Sequence, residues 1–186
     1  NLRMAQTGAI LIHYRAHFIR KLAEYAPAVH RDFSGGREEL SLRYETVKTV
    51  AHPEDPPKVL LPALLEHQET HRQAELDARQ CLSGPHKDDL AVELDGVSAK
   101  QFASQGQTRT AALSLKLGAR EIFFHDTGEW PVLLLDDVLS ELDQRRQDFV
   151  LSRISGGQVF ITCCEEEKAE RLGDGRAFRI REGALV

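Results

Sequence analysis

The run Pro131-Val132-Leu133-Leu134-Leu135-Asp136-Asp137 constrains this chain more than any other segment. An unbroken apolar stretch ending in two adjacent carboxylates reads as a buried strand with acids at its exposed C-terminal edge. In an open α/β sheet that edge is where ligands bind. One carboxylate there can hold Mg²⁺ through water, and its neighbour can accept a proton from an attacking water. Ser140-Glu141-Leu142-Asp143 follows at once. Upstream, Ser104-Gln105-Gly106-Gln107 opens a long helix-forming run. Ser104 offers a hydroxyl cap and Gly106 has no Cβ. Free backbone N–H groups and the positive dipole end at such a helix start favour an anion such as a γ-phosphate. Together the two segments imply a nucleotide-driven machine.

The rest of the chain frames these segments. Ala5, Ala9, Ile12, Ala16, Ile19, Ala23 and Ala26 recur at steps of four and three, a seam of mostly small residues. It suits equally a long helix packed on its own domain and a protruding coiled-coil arm. Ser34-Gly35-Gly36 breaks that helix, and Glu39 to Val47 alternates as a half-buried strand, with Leu40, Leu42 and Tyr44 on one face. Lys58 to Gln80 predicts a helix that docks at its apolar start and is solvated at its charged end. Ser83-Gly84-Pro85-His86 marks a turn, and Leu90 to Leu94, Asp95-Gly96 and Val97 onward predict a β-hairpin. Gln107 to His125 is helical in pattern, an amphipathic helix is expected near 142–154, and Gln158 to Thr162 reads as a further strand. Phe178 to Val186 resembles a short hairpin turned at Glu182-Gly183. Strand, helix and strand with short connections predict a parallel α/β core in the C-terminal part.

Composition narrows the setting. At 186 residues and 41% hydrophobic, the chain can bury a core as one domain or two small ones. A net charge of −5 argues against a broadly basic, nucleic-acid-coating surface, although 24 Lys and Arg can still cluster into a local groove. Three cysteines, with Cys163 and Cys164 adjacent, make neither an even disulfide framework nor paired metal-ligand spacing, and a reducing cytoplasmic location is expected. No membrane span and no signal-peptide pattern is evident. The chain starts with Asn1 and its single methionine is Met4, so a start further upstream is expected.

Three segments in order carry a family resemblance: Ser83-Gly84-Pro85-His86-Lys87-Asp88-Asp89-Leu90, Phe102 to Thr110, and Leu133 to Asp143. With Ser34-Gly35-Gly36-Arg37-Glu38-Glu39-Leu40 after the first helix, they resemble the C-terminal portion of RecF, a bacterial replication and repair ATPase family related to SMC proteins and ABC ATPases. The resemblance implies an α/β, ABC-ATPase-like head with a parallel sheet, plus a helical arm. Residues 1–80 would be the arm and its return, 81–126 the hairpin and signature-helix region, and 127–186 the Walker B lobe. Ser104 and Gly106 fall on the signature positions that touch ATP held by the opposite subunit, with Gln107 beside them. Asp136 falls on the Walker B aspartate that serves Mg²⁺, and Asp137 stands as catalytic base where many ABC ATPases have glutamate. Ser140 and Asp143 lie on the D-loop. Cys163-Cys164-Glu165 departs from the family at the switch position.

By the same resemblance, the intact protein is a slow ATPase that dimerises with ATP on DNA, at single-stranded gaps or duplex junctions. It would help RecO and RecR load RecA. No Gly-x-x-x-x-Gly-Lys-Ser/Thr phosphate loop occurs in the 186 residues, so the chain alone is expected to be inactive. Two other readings stand beside this one: a non-catalytic interaction lobe, and an ABC transporter ATPase subunit. The heptad-like helix, the Gly-Pro-His-Lys-Asp-Asp segment and the lack of a glutamate after Asp136 speak against the transporter. Cys163 and Cys164 read as strand-end packing residues and His86 as a structural histidine. Lys87, Asp88 and Asp89 suit either an active-site edge or an exposed charged turn entering a hairpin, and no role is assigned to them.

Overall fold

A computed structural model describes residues 2–164 and 175–186. It forms two compact units, Asn1–Ile122 and Phe123–Val186. Glu165, the last residue of the expected switch segment, lies outside the described residues.

In the first unit, α1 (Leu2–Ser34) buries Ala5, Ala9, Ile12 and Ala16 along its first half. Further on, burial moves to Leu22, Val29 and Phe33, while Ile19 and Ala23 become only half-buried. A seven-residue repeat drifts by about 20° per heptad on a straight helix, so Ile19 and Ala23 turn partly off the contact face, while Ala26 stays buried. The helix packs within its own unit. Its N-terminal half joins Val47, Val50 and two residues of α2 (Pro57–Thr70), Leu60 and Leu64. Its C-terminal half joins Leu40, Leu94, Ala111 and Ile122. The crossing with a later helix, α5 (Gln105–Thr127), is close. A Cβ at Gly118 would stand 3.1 Å from the Ala26 backbone.

Gly35 and Gly36 end α1 with positive φ. The Gly36 amide donates to Arg31 O at 2.7 Å and that of Gly35 to Asp32 O at 3.3 Å, a Schellman closure that turns the chain back on itself. Strand β1 (Leu40–Glu45) then pairs antiparallel with β2 (Asp89–Leu94), Leu40 opposite Leu94, and β2 pairs with β3 (Val97–Ser98). Asp95 and Gly96 both have positive φ, the conformation a two-residue hairpin turn requires. The expected helix over Lys58 to Gln80 is in fact two, α2 and α3 (Arg72–Ala78), parted at His71. Thr70 hydroxyl bonds to Glu66 O and His67 O compete with the helix ladder there. No α3 residue is buried, in keeping with its charged sequence.

A short helix, α4 (Ala99–Phe102), leads to α5 (Gln105–Thr127), which Gly128 stops with positive φ. The second unit then runs through β4 (Leu133–Asp136), a 3₁₀ turn (Val138–Glu141), α6 (Gln144–Arg153) and β5 (Val159–Thr162). Strands β4 and β5 are parallel, with Asp136 opposite Thr162. Strands β6 (Ile180–Arg181) and β7 (Ala184–Leu185) form the terminal hairpin.

One expectation fails here: β4 is buried on one face only. Leu133 and Leu135 are buried, but Leu134 is 71% exposed. Successive side chains in a strand alternate faces, and the face shared by Leu134 and Phe160 is uncovered among the described residues. The turn into β5 is shaped by Trp130, which stacks on Phe124 with ring centroids 4.1 Å apart. A Cβ on Gly156 would lie 2.5 Å from Trp130 Nε1, so the Gly156-Gly157 pair is a steric requirement. No helix among the described residues is long and apolar enough to cross a membrane.

Candidate functional site

The second unit presents its carboxylates where β4 ends. Asp136 and Asp137 are both exposed. The parallel register sets Thr162 beside them, and its hydroxyl donates to Asp136 Oδ1 at 2.6 Å while accepting the Asp137 amide at 2.9 Å. That single hydroxyl therefore orients the carboxylate and closes the backbone behind it. The hydroxyl engages only one carboxylate oxygen, so the second oxygen of the exposed Asp136 could meet an outside ligand. Asp137 takes the left-handed conformation, φ 49°, at the start of the 3₁₀ turn, and its side chain makes no capping hydrogen bond. The turn is braced from within. Ser140 Oγ donates to Asp137 O at 2.8 Å, and the buried Gln147 amide donates to Leu139 O and Leu142 O. Asp143 caps α6 by accepting the Arg146 amide at 3.0 Å and pairs with the Arg146 guanidinium at 3.2 Å.

The first unit presents the start of α5. Ser104 and Gln107 form a reciprocal capping box: the Gln107 amide donates to Ser104 Oγ at 3.3 Å, and the Ser104 amide donates to Gln107 Oε1 at 2.9 Å. Thr108 N–H begins the helical ladder by donating to Ser104 O. Between them, the Gln105 and Gly106 amides fall where a helix has no internal acceptor. As a cap acceptor, the Ser104 hydroxyl retains its own proton to donate outward. An exposed hydroxyl, two N–H groups and a positive dipole end thus converge on one point, an arrangement suited to a phosphate oxygen.

No family model matches the chain. It is 36% identical over 188 residues to the DNA replication and repair protein RecF of Clostridium perfringens, a match that takes in 100% of the chain and 50% of that protein. It is 39% identical over 186 residues to RecF of Listeria monocytogenes, with 98% of the chain and 50% of the relative covered. This is a RecF-family chain, matching the C-terminal half of its relatives. It spans about half the length of the curated relatives it matches. Its fold agrees with that of two solved structures, described as the recombination mediator protein RecF-ATPrS and RecF-ATP in the RecFOR pathway. The TM-scores are 0.83 and 0.80, each at 31% identity, covering 99% and 100% of this chain and 48% and 49% of those chains. The α/β, ABC-ATPase-like architecture with a parallel sheet follows from that agreement.

Within this RecF-family half, the residues singled out from sequence divide into two groups. Ser104, Gly106, Asp136 and Asp137 present groups toward solvent. Gln107, Ser140 and Asp143 are engaged internally and shape the two loops that carry the others. Mg²⁺ suits Asp136, because it keeps most of its waters and asks for one or two carboxylates. Among the described residues no group of three His, Cys, Asp or Glu could cage a metal by itself. Sequence reading passed over Thr162 as a site residue. The available signal was the aligned ends of two strands in parallel, which sets a strand-end hydroxyl beside a strand-end carboxylate.

Asp88 also departs from expectation. Its side chain is only 2% exposed, bridged by Arg15 at 3.3 Å and by the Tyr44 hydroxyl, and Oδ1 has no hydrogen-bond partner among the described residues. Burial, and then the Asp88 carboxylate, push the Tyr44 hydroxyl far above its ordinary pKa. The Lys87-Asp88-Asp89 turn is thereby clamped to α1 and β1 through its middle residue, while Asp89 pairs with Lys100 at the surface.

Proposed function

We propose that this chain supplies the signature and Walker B parts of an ATP-switched, DNA-binding protein of replication and recombinational repair. The Ser104 capping box carries the reading. It is a rigid, exposed hydroxyl beside two helix-start amides, built to meet a phosphate from outside its own unit. Ser104 and Gly106 would close over nucleotide held by a second copy, which makes dimerisation depend on ATP. Asp136, oriented by Thr162, would hold Mg²⁺ through water, and the ion would neutralise charge on the transferring phosphoryl group. Asp137 would accept the proton of the attacking water. Aspartate is one methylene shorter than glutamate and reaches that water less easily, so hydrolysis is slow and the closed dimer is long-lived.

At net charge −5, this chain does not attract DNA through its overall field. Two local basic strips joined by dimerisation would do so, with affinity falling steeply as salt rises. Relatives in the RecFOR pathway support DNA, with RecO and RecR, as the partners. The test is Ser104→Arg in the intact protein. Nucleotide binding by the monomer should persist, while sedimentation with a non-hydrolysable ATP analogue should show no dimer. A persisting dimer refutes the reading.

A further inference from the structure

We propose that Glu38, clamped by the buried His30, is a positioning residue that sets the conformation of Ser104; this rests on the nucleotide reading above. His30 lies in the last turns of α1 and is 0% exposed. Its Nδ1 meets Ser114 Oγ at 3.2 Å. The Ser114 proton is committed to Thr110 O at 2.8 Å, and a carbonyl can only accept, so Nδ1–H is the donor in that contact. The other ring nitrogen lies 3.1 Å from Glu38 Oε2, and because a carboxylate can only accept, Nε2–H is the donor there and the ring bears a proton on each nitrogen. The Schellman closure at Gly35-Gly36 makes this contact possible by returning the chain within eight residues of His30.

Glu38 does not end at His30. Its second oxygen, Oε1, accepts from Gln107 Nε2 at 3.0 Å, and Gln107 Oε1 accepts the Ser104 amide at 2.9 Å. A glutamine amide presents a donor at one end and an acceptor at the other, and a half-turn about its last bond exchanges them. A carboxylate that can only accept selects the orientation that points NH₂ at Glu38 and oxygen at Ser104. The reverse orientation would place NH₂ against the Ser104 N–H and open the capping box. Three hydrogen bonds in series therefore run from a buried histidine to the backbone of the residue assigned to the phosphate.

A purely structural His30–Glu38 pair would affect stability and leave Ser104 alone. Backbone amide exchange at Ser104, measured in the 186-residue chain, separates the two. Glu38→Ala should speed that exchange about fivefold, the loss of roughly one net hydrogen bond. Glu38→Gln should stay within about twofold of the original chain, because its oxygen can accept from Gln107 while its NH₂ donates to His30 Nε2, which gives up its proton once the carboxylate is gone. Wild-type exchange in Glu38→Ala overturns the proposal, and so does equal acceleration in both variants. Should Glu38→Ala fail to fold, Glu38→Asp takes its place. One methylene shorter, it cannot reach both partners, and unchanged exchange there is equally fatal. In the intact protein Glu38→Ala should also weaken ATP-dependent dimerisation, with Ser104→Arg as the reference. If Ser104→Arg still dimerises, the nucleotide reading fails, while the exchange result stands or falls by itself.

Discussion

Removing one hydroxyl, in Thr162→Val, tests whether the carboxylate edge is organised as described. Valine keeps the β-branched shape that suits a strand and deletes only the group that donates to Asp136 at 2.6 Å and accepts from Asp137 N at 2.9 Å. A neutral hydrogen bond contributes about 1 kcal/mol net, and one to a charged group about 1.5–3. Both sit at an exposed edge where water substitutes in part, so the combined loss is about 1–2 kcal/mol. At a urea slope of about 1–2 kcal/mol/M, the midpoint should fall by about 1 M. The single tryptophan, Trp130, lies in the second unit and reports its unfolding by fluorescence. Thr162→Ser retains the hydroxyl and should keep most of the original midpoint. A Thr162→Val midpoint equal to that of the original chain would refute the reasoning. So would a Thr162→Ser chain as weak as Thr162→Val, since the effect would then belong to the methyl group.

Asp137 sits at φ 49°, where Asp and Asn are tolerated several-fold better than other side chains, so Asp137→Glu should cost about 0.5–1 kcal/mol in the same urea assay. Asp137→Asn should leave that midpoint unchanged; in the intact protein it should slow ATP hydrolysis and prolong the DNA-bound dimer, and a wild-type hydrolysis rate would show that Asp137 is not the base. The turn after α3 should weaken in acid. Burial opposes ionisation of Glu75, but the Leu82 and Ser83 amides, with the Ser83 hydroxyl and the Cys81 thiol, outweigh it and hold its carboxyl below the ordinary range. Burial, with His71 alongside, likewise lowers His67. Both groups have folded pKa values below their unfolded ones, so their stabilisation is complete above the unfolded values and is lost as pH falls. The His67 share should fade below about pH 6.5 and the Glu75 share below about pH 4.5. Thermal melts from pH 8 to pH 3.5 check this, with Glu75→Gln expected to flatten the lower step.

Local pattern decided much of this chain. Asp95-Gly96 specifies its own turn, Gly35-Gly36 ends α1, and Ser104 with Gln107 three residues on writes the start of α5 into adjacent sequence. The apolar run into Asp136-Asp137 likewise announces a strand edge carrying acids. Each signal is legible because the interacting groups are separated by a few residues, and the backbone conformation that joins them is set by neighbours. Burial was less legible. Leu134 belongs to an apolar run yet stands exposed, because which face of a strand is covered depends on other elements. The seam of α1 shifts at Ile19 and Leu22 for a similar reason, since the face a helix buries is chosen by what it packs against. The supports of the two half-sites were hidden altogether. Thr162 reaches Asp136 across 26 residues, Gln107 reaches Glu38 across 69, and Tyr44 reaches Asp88 across 44. Such partners meet only after strand register and helix closure have brought them together, and hydrogen bonds of about 3 Å tolerate no error in that placement. Local sequence marks Ser104, Asp136 and their neighbours as candidates for phosphate chemistry, whereas strand register and helix closure choose the side chains that brace them.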